Sequence, residues 1–145
     1  MPYLDTAYLV RLYLPDPGWE IVRAFVQASS EVPAACIHAR TEVVAALHRA
    51  LREGRTDAAQ FSTLLDQFEQ DCAAAKFQWL PISDGVLDRL ATGFRSLPAA
   101  VFLRSADALH IACAAEHGFA EIHSNDARLL AAAAHFGIKG VNLIS

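Results

Sequence analysis

The chain has 145 residues, of which 54% are hydrophobic and 19% charged, with a formal net charge of -4. This composition predicts a single compact domain over residues 1–145 and excludes a disordered chain. No apolar run approaches the roughly 20 residues of a membrane helix, and the N-terminus lacks the basic segment of a signal peptide. We therefore expect a cytoplasmic protein without a membrane anchor. Because the charge balance is acidic, any contact with nucleic acid would have to be local and helped by a metal or a partner.

The spacing of apolar residues predicts strands that alternate with helices along the chain. In order, these are a strand over 1–5, helices over 6–14 and 18–28, a strand over 31–35, helices over 37–53 and 57–75, a strand over 77–82, a helix over 85–94, a loop over 97–104, a helix over 105–117, a strand over 121–124, a helix over 127–136 and a strand over 141–144. Thr56 and Ser105 are the predicted N-caps of their helices. This alternation implies right-handed crossovers, a mostly parallel sheet and a three-layer α/β/α sandwich.

Three cysteines, Cys36, Cys72 and Cys113, are widely separated and odd in number, and no C-x-x-C pair occurs. This pattern argues against a disulfide framework and against a structural zinc site built from cysteine. We interpret all three as small core residues.

Acidic residues stand where the predicted elements change. Asp5 ends the first strand and Asp126 follows the strand over 121–124, whereas Asp107 and Glu42 lie near helix starts. Open α/β sheets bind their ligands beyond the carboxyl ends of the strands, so Asp5 and Asp126 can line one crevice. An Asp at a helix start most often only initiates the helix. These acids therefore acquire a chemical role only if the fold brings them together.

Convergence of the acids would predict a metal site. Carboxylates that share a cleft repel one another and raise each other's pKa, and a hard divalent cation removes that conflict. Oxygen ligands without His or Cys favour Mg²⁺ or Mn²⁺ over zinc. Such an ion lowers the pKa of bound water and stabilises charge on a phosphate, which is the chemistry of phosphodiester hydrolysis.

Four segments carry a resemblance to a known family. They are YLDTAYLV at 3–10, TEVVAAL at 41–47, DALHIA at 107–112 and SNDARL at 124–129. In order and separation they resemble PIN-domain ribonucleases of the VapC type, the toxins of bacterial and archaeal toxin–antitoxin pairs. The resemblance extends over essentially the whole chain and implies a PIN-like fold.

The resemblance also implies roles for particular residues. Asp5, Glu42, Asp107 and Asp126 would be the catalytic acids of an endoribonuclease and the ligands of Mg²⁺ or Mn²⁺. Thr6 and Ser124 would orient neighbouring carboxylates through hydrogen bonds. Ala7 departs from the family, which frequently has Ser there, so one supporting hydroxyl is missing. The implied partners are an RNA substrate, an antitoxin protein and a second copy of the chain.

Some residues allow two interpretations. His110 lies one turn after Asp107, and we interpret it as a buried structural side chain rather than a catalytic base. Arg11 and Arg104 stand near the acids in sequence, where they either bind substrate phosphates or temper the negative charge.

Two other functions compete with the nuclease. One is a catalytically silent PIN-like domain that binds RNA or a protein. The other is a response-regulator-like domain with Asp5 as phospho-acceptor, but this function predicts a second acid at position 7, which is Ala.

Overall fold

The structure, a computed structural model, describes residues 1–144, so Ser145 at the end of the predicted domain lies outside it. The helices are α1 (Thr6–Val10), α2 (Trp19–Ala28), α3 (His38–Arg52), α4 (Ala58–Ala73), α5 (Asp84–Ser96), α6 (Ser105–Glu116), α7 (Ala127–Ala133) and a 3-10 turn (Ala134–Phe136). The strands are β1 (Ala34–Cys36), β2 (Gln78–Leu80), β3 (Glu121–His123) and β4 (Lys139–Val141).

The N-terminal segment joins two parallel strand pairs into one sheet. Strand β1 pairs with β2, and β3 pairs with β4. Between these pairs, Tyr3 bridges Ala34 of β1 and Leu4 bridges His123 of β3, both in the parallel sense. The predicted strand over 1–5 is therefore reduced to these bridges. The last strand also lies earlier than predicted, because Gly137 at a φ of 74° ends the 3-10 turn and lets the chain extend from Lys139.

Helices cover both faces of this sheet, so the predicted three-layer α/β/α fold is confirmed. Successive residues of an extended chain point to opposite faces, and the N-terminal segment shows this alternation. Tyr3 packs with Ile111 and Ile122 on one face, whereas Leu4 packs with Val43 and other residues of the second core. Within residues 1–144 no helix is long and apolar enough to cross a membrane.

Two predicted N-caps are wrong by one residue. Asp57 rather than Thr56 caps α4, because Asp57 accepts a hydrogen bond from the Gln60 backbone while the Gln60 side chain accepts one from the Asp57 backbone. Arg104 rather than Ser105 is the extended residue before α6. The helix predicted over 6–14 also stops at Val10, and 3-10-like hydrogen bonds then tighten the chain over residues 11–13.

Two of the three cysteines are core residues as predicted. All three are free, and Cys36 and Cys113 are buried in the core. Cys72 is only partly buried and packs at the edge of the second core.

Candidate active site

One cleft of about 610 Å³ contains all four predicted acids. Asp5 and Asp126 are the N-caps of α1 and α7, so both stand directly after segments of the sheet. Asp107 lies in the first turn of α6, and Glu42 lies in the second turn of α3. Four separate segments therefore bring their carboxylates to one place, beyond the carboxyl end of the sheet.

Asp5 is the deepest of the four acids, with only 5% of its surface exposed. One carboxylate oxygen accepts a hydrogen bond from the Tyr8 backbone at 2.9 Å, and the other accepts one from Ser124 Oγ at 2.5 Å. Burial raises the pKa of Asp5, and the hydrogen bond from Ser124 opposes this shift only in part. The carboxylate is thus rigidly positioned but costly to ionise in the absence of a cation.

Asp107 and Asp126 share a single arginine. Arg104 Nε lies 3.1 Å from Asp107 Oδ2, and Arg104 Nη2 lies 3.4 Å from Asp126 Oδ2. The arginine side chain is 59% exposed, whereas those of Asp107 and Asp126 are 16% and 29% exposed. We call these three residues the arginine cluster. The Arg104 side chain is long and solvated, so it can move away from the two acids at little cost in free energy.

Glu42 instead interacts with two histidines. Its Oε1 lies 3.1 Å from His38 Nε2 and 3.4 Å from His110 Nε2, and it accepts a hydrogen bond from Thr6 Oγ1 at 2.7 Å. We call His38, Glu42 and His110 the histidine cluster. Burial alone would raise the pKa of Glu42, but the hydrogen bonds from His110, His38 and Thr6 outweigh it and hold the pKa well below its usual range.

His38 was not predicted as a site residue, although one feature of the sequence indicates it. It precedes Glu42 by four residues on α3, the spacing at which helical side chains meet. Burial alone would lower the pKa of His38, but the neighbouring Cys36 thiol and Glu42 carboxylate raise it to about 9. The sequence also did not single out Arg49 and Arg55, which line the same cleft.

The two candidate arginines behave differently. Arg104 lines the cleft, but Arg11 does not line it. Arg11 is 7% exposed and donates hydrogen bonds to the backbone oxygens of Pro17 and Ala7, both at 2.8 Å. Its donors serve the loop after α1, so we leave Arg11 out of the proposed substrate site.

The acids fit a hard divalent cation through their oxygen donors. Asp5, Asp107 and Asp126 offer only carboxylate oxygens, and an exposed guanidinium now lies against the last two. No three of the four acids lie within 4.8 Å of one another in the described part of the chain. Binding of an ion such as Mg²⁺ would therefore require Arg104 to move and the carboxylates to close on the ion.

The structure thus defines a class of protein: an α/β/α domain in which four segments bring acidic side chains to one cleft. Within that class, the sequence model of the PIN domain matches residues 3–135. The chain therefore belongs to the PIN domain family, and the predicted family is confirmed. No curated protein sequence matches significantly.

Solved structures agree on the fold. FitAcB from Neisseria gonorrhoeae is similar over 98% of this chain and 97% of its own, with a TM-score of 0.79 and 18% identity. VapBC2 from Rickettsia felis, bound to a DNA fragment from its promoter, covers 98% of both chains with a TM-score of 0.71 and 13% identity. VapC20 from Mycobacterium tuberculosis, a toxin that cleaves the sarcin-ricin loop, covers 91% of this chain and 95% of its own, with a TM-score of 0.65 and 15% identity.

Proposed function

We propose that the protein is a Mg²⁺- or Mn²⁺-dependent endoribonuclease that hydrolyses RNA phosphodiester bonds as the toxin of a toxin–antitoxin pair. The observation that carries this proposal is the meeting of Asp5, Glu42, Asp107 and Asp126 in one cleft of a PIN domain. Similarity in fold to VapC20, a toxin that cleaves the sarcin-ricin loop, supports the substrate class.

The residues of the cleft have different roles in the proposed reaction. Asp5, Asp107 and Asp126 would hold the cation, with Ser124 keeping Asp5 in place through its short hydrogen bond. When bound, the ion would supply a water of lowered pKa and would stabilise the charge that develops on the phosphate. Glu42 is already ionised and fixed by Thr6, so it orients the attacking water. Arg104, once released from the acids, is a donor for a substrate phosphate within the cleft.

The proposal extends to two protein partners. The solved neighbours include FitAcB and VapBC2, and we propose that this chain likewise binds an antitoxin protein. We also propose a homodimer, which the exposed apolar side chains of Leu87, Phe94 and Phe102 favour. Light scattering at micromolar concentration tests the dimer, and a monomer there would reject it.

The nuclease is tested with Asp5→Asn and Asp107→Asn on end-labelled RNA, with Mn²⁺ added after chelation. Each change removes a charged ligand while keeping the shape, so we expect cleavage to fall at least about 1000-fold, or about 4 kcal/mol in activation free energy. The matched control is Asp88→Asn, because Asp88 is an exposed acid of α5 that does not line the cleft. Full activity in either cleft variant would reject the assignment.

A specific observation favours the silent PIN-like domain as the second candidate. Each of the four predicted acids already has a protein partner: Ser124 for Asp5, Arg104 for Asp107 and Asp126, and His38, His110 and Thr6 for Glu42. A domain that no longer needs a metal could retain such pairing. Mn²⁺ titration separates the two candidates, because the silent domain would bind no Mn²⁺ at millimolar concentration.

A further inference from the structure

The histidine cluster has the composition and spacing of a second kind of metal site. His38 and Glu42 lie one turn apart on α3, and His110 approaches them from α6. One ligand atom from each residue lies within 4.8 Å of the other two, an arrangement found only here within residues 1–144. The acids of the arginine cluster take no part in it.

The distances from Glu42 to the two histidines agree with tetrahedral coordination. Two donors that each lie about 2.1 Å from a tetrahedral Zn²⁺ ion are roughly 3.4 Å apart. The Oε1 atom of Glu42 lies 3.1 Å from His38 Nε2 and 3.4 Å from His110 Nε2. Thr6 Oγ1 lies 2.7 Å from Glu42 Oε1 and 3.0 Å from His110 Nε2, so an ion can be accommodated between the three ligands once the Thr6 side chain rotates away.

His110 is oriented by a second layer of contacts. Its Nδ1 lies 3.0 Å from the hydroxyl of Tyr3, which is fully buried and also accepts a hydrogen bond from the Cys36 backbone. The rings of His110 and Tyr3 meet edge to face at 5.8 Å. Metal-binding histidines are typically held in this way through the ring nitrogen that does not bind the metal. The Nε2 atom of His110 is thereby fixed toward Glu42.

His38 also presents its Nε2 atom. This atom faces Glu42 and the backbone oxygen of Ala106, which lies 3.1 Å away. The buried Nδ1 atom has no hydrogen-bond partner among residues 1–144. The polar contacts of the ring are therefore concentrated at the nitrogen that points into the cluster.

We propose that His38, Glu42 and His110 form a site for a first-row transition cation such as Zn²⁺, separate from the oxygen-only Mg²⁺ site of the cleft. Two imidazoles and one carboxylate favour Zn²⁺ or its relatives over Mg²⁺, which prefers oxygen. Three protein ligands leave a fourth position, and Glu42 is 36% exposed toward the cleft, so water can occupy it. Both imidazoles must be neutral to bind the ion, so binding releases protons.

Glu42 is a ligand of the site proposed here and also the residue that orients the attacking water in the proposed nuclease, so this part of the inference rests on that proposed function. A carboxylate that binds Zn²⁺ is no longer free to orient water for RNA cleavage. Zn²⁺ at the histidine cluster would therefore oppose the Mg²⁺-dependent reaction, and the cleft would respond to the kind of cation present.

The test uses Co²⁺, whose visible absorption reports tetrahedral coordination, with the full chain after chelation and no RNA present. We expect the wild type to bind one equivalent with a tetrahedral spectrum, and Zn²⁺ to displace it. His38→Ala removes a ligand at a partly exposed position and should weaken Co²⁺ binding at least about 100-fold. His48→Ala is the matched control, because His48 is an exposed histidine of the same helix outside the cluster.

Two further variants separate this inference from the proposed function. Glu42→Gln should weaken Co²⁺ binding, whereas Asp107→Asn should weaken Mn²⁺ binding only. Retained Co²⁺ binding in His38→Ala, or an equal loss in His48→Ala, would overturn the site. If Co²⁺ binds as expected but Mn²⁺ does not bind to the wild type, the transition-metal site stands and the nuclease proposal fails.

Discussion

The two clusters of the cleft neutralise carboxylates in different ways. In the arginine cluster a 59% exposed guanidinium spans Asp107 and Asp126, whereas in the histidine cluster Glu42 meets the 3% exposed ring of His110 and the 16% exposed ring of His38. An exposed ion pair contributes little to stability and breaks easily. The ring of His110 is buried and has partners on both nitrogens, so it is part of the core. The ion pairs of the arginine cluster can therefore separate, whereas the histidine cluster is held in place.

This difference suits the different roles that the proposed nuclease gives to the two clusters. The proposed cation needs a site from which the positive charge of the protein can move away, and the exposed side chain of Arg104 would allow this. A carboxylate that orients water needs a constant position, which Thr6 and the two imidazoles give to Glu42. Mutations that affect one cluster should therefore differ in kind from those that affect the other.

The largest expected effect on stability is that of His110→Ala. The change leaves a cavity and removes the ring partner of the Tyr3 hydroxyl and of Thr6, so we expect the free energy of unfolding to fall by about 3 kcal/mol. Arg104→Ala should change it by less than about 0.5 kcal/mol. Urea denaturation in the presence of a chelator measures both. Similar losses in the two variants would contradict the distinction between a fixed and a movable cluster.

Asp5→Asn should stabilise the protein by about 1 kcal/mol at neutral pH when no metal is present. Burial raises the pKa of Asp5 in the folded state, so ionisation costs stability once the pH exceeds the pKa of the unfolded chain. The advantage of Asn should therefore be full at neutral pH and disappear below about pH 4. Ser124 tolerates the new amide because its hydroxyl can accept as well as donate a hydrogen bond.

Thermal unfolding of Asp5→Asn and wild type across this pH range measures the effect, with Asp88→Asn as the control. The gain should also disappear when Mn²⁺ is added, because only the wild type then regains a partner for its buried charge. A gain that is independent of pH would show that the buried charge of Asp5 carries no energetic cost.

The fold could be predicted well because the signals for helices and strands lie in short stretches of the sequence. Apolar spacing identified the main helices and the order of the strands, and the acids at strand ends followed from the alternation of elements. The errors lie at boundaries where side chains compete. Asp57 displaced Thr56 as a cap because Gln60 completes a capping box, and this depends on one reciprocal pair of hydrogen bonds.

The partners of the acids could not be predicted with the same success. Arg104 bonds to Asp107 within one turn, so that half of the arginine cluster was visible in the sequence. The contact of His110 with Glu42 joins residues 68 positions apart, because α3 and α6 meet only in the folded domain. Arg11 was missed for a different reason: its partners Ala7 and Pro17 are close in sequence, but the bond to Pro17 depends on a loop geometry that no spacing rule describes.

The smallest expected effect tests the movable cluster most directly. Arg104→Ala removes the positive charge that competes with a cation for Asp107 and Asp126, so we expect Mn²⁺ to bind about threefold more tightly, or about 0.7 kcal/mol. The gain should shrink at high salt, because Arg104 is exposed and its charge is screened there. Arg89→Ala is the matched control, since Arg89 is 51% exposed and pairs with Glu116 outside the cleft. Calorimetry at two salt concentrations measures all three proteins. Unchanged or weaker Mn²⁺ binding in Arg104→Ala would mean that Asp107 and Asp126 do not hold the ion, and the metal site would then have to be sought around Asp5 and Glu42 alone.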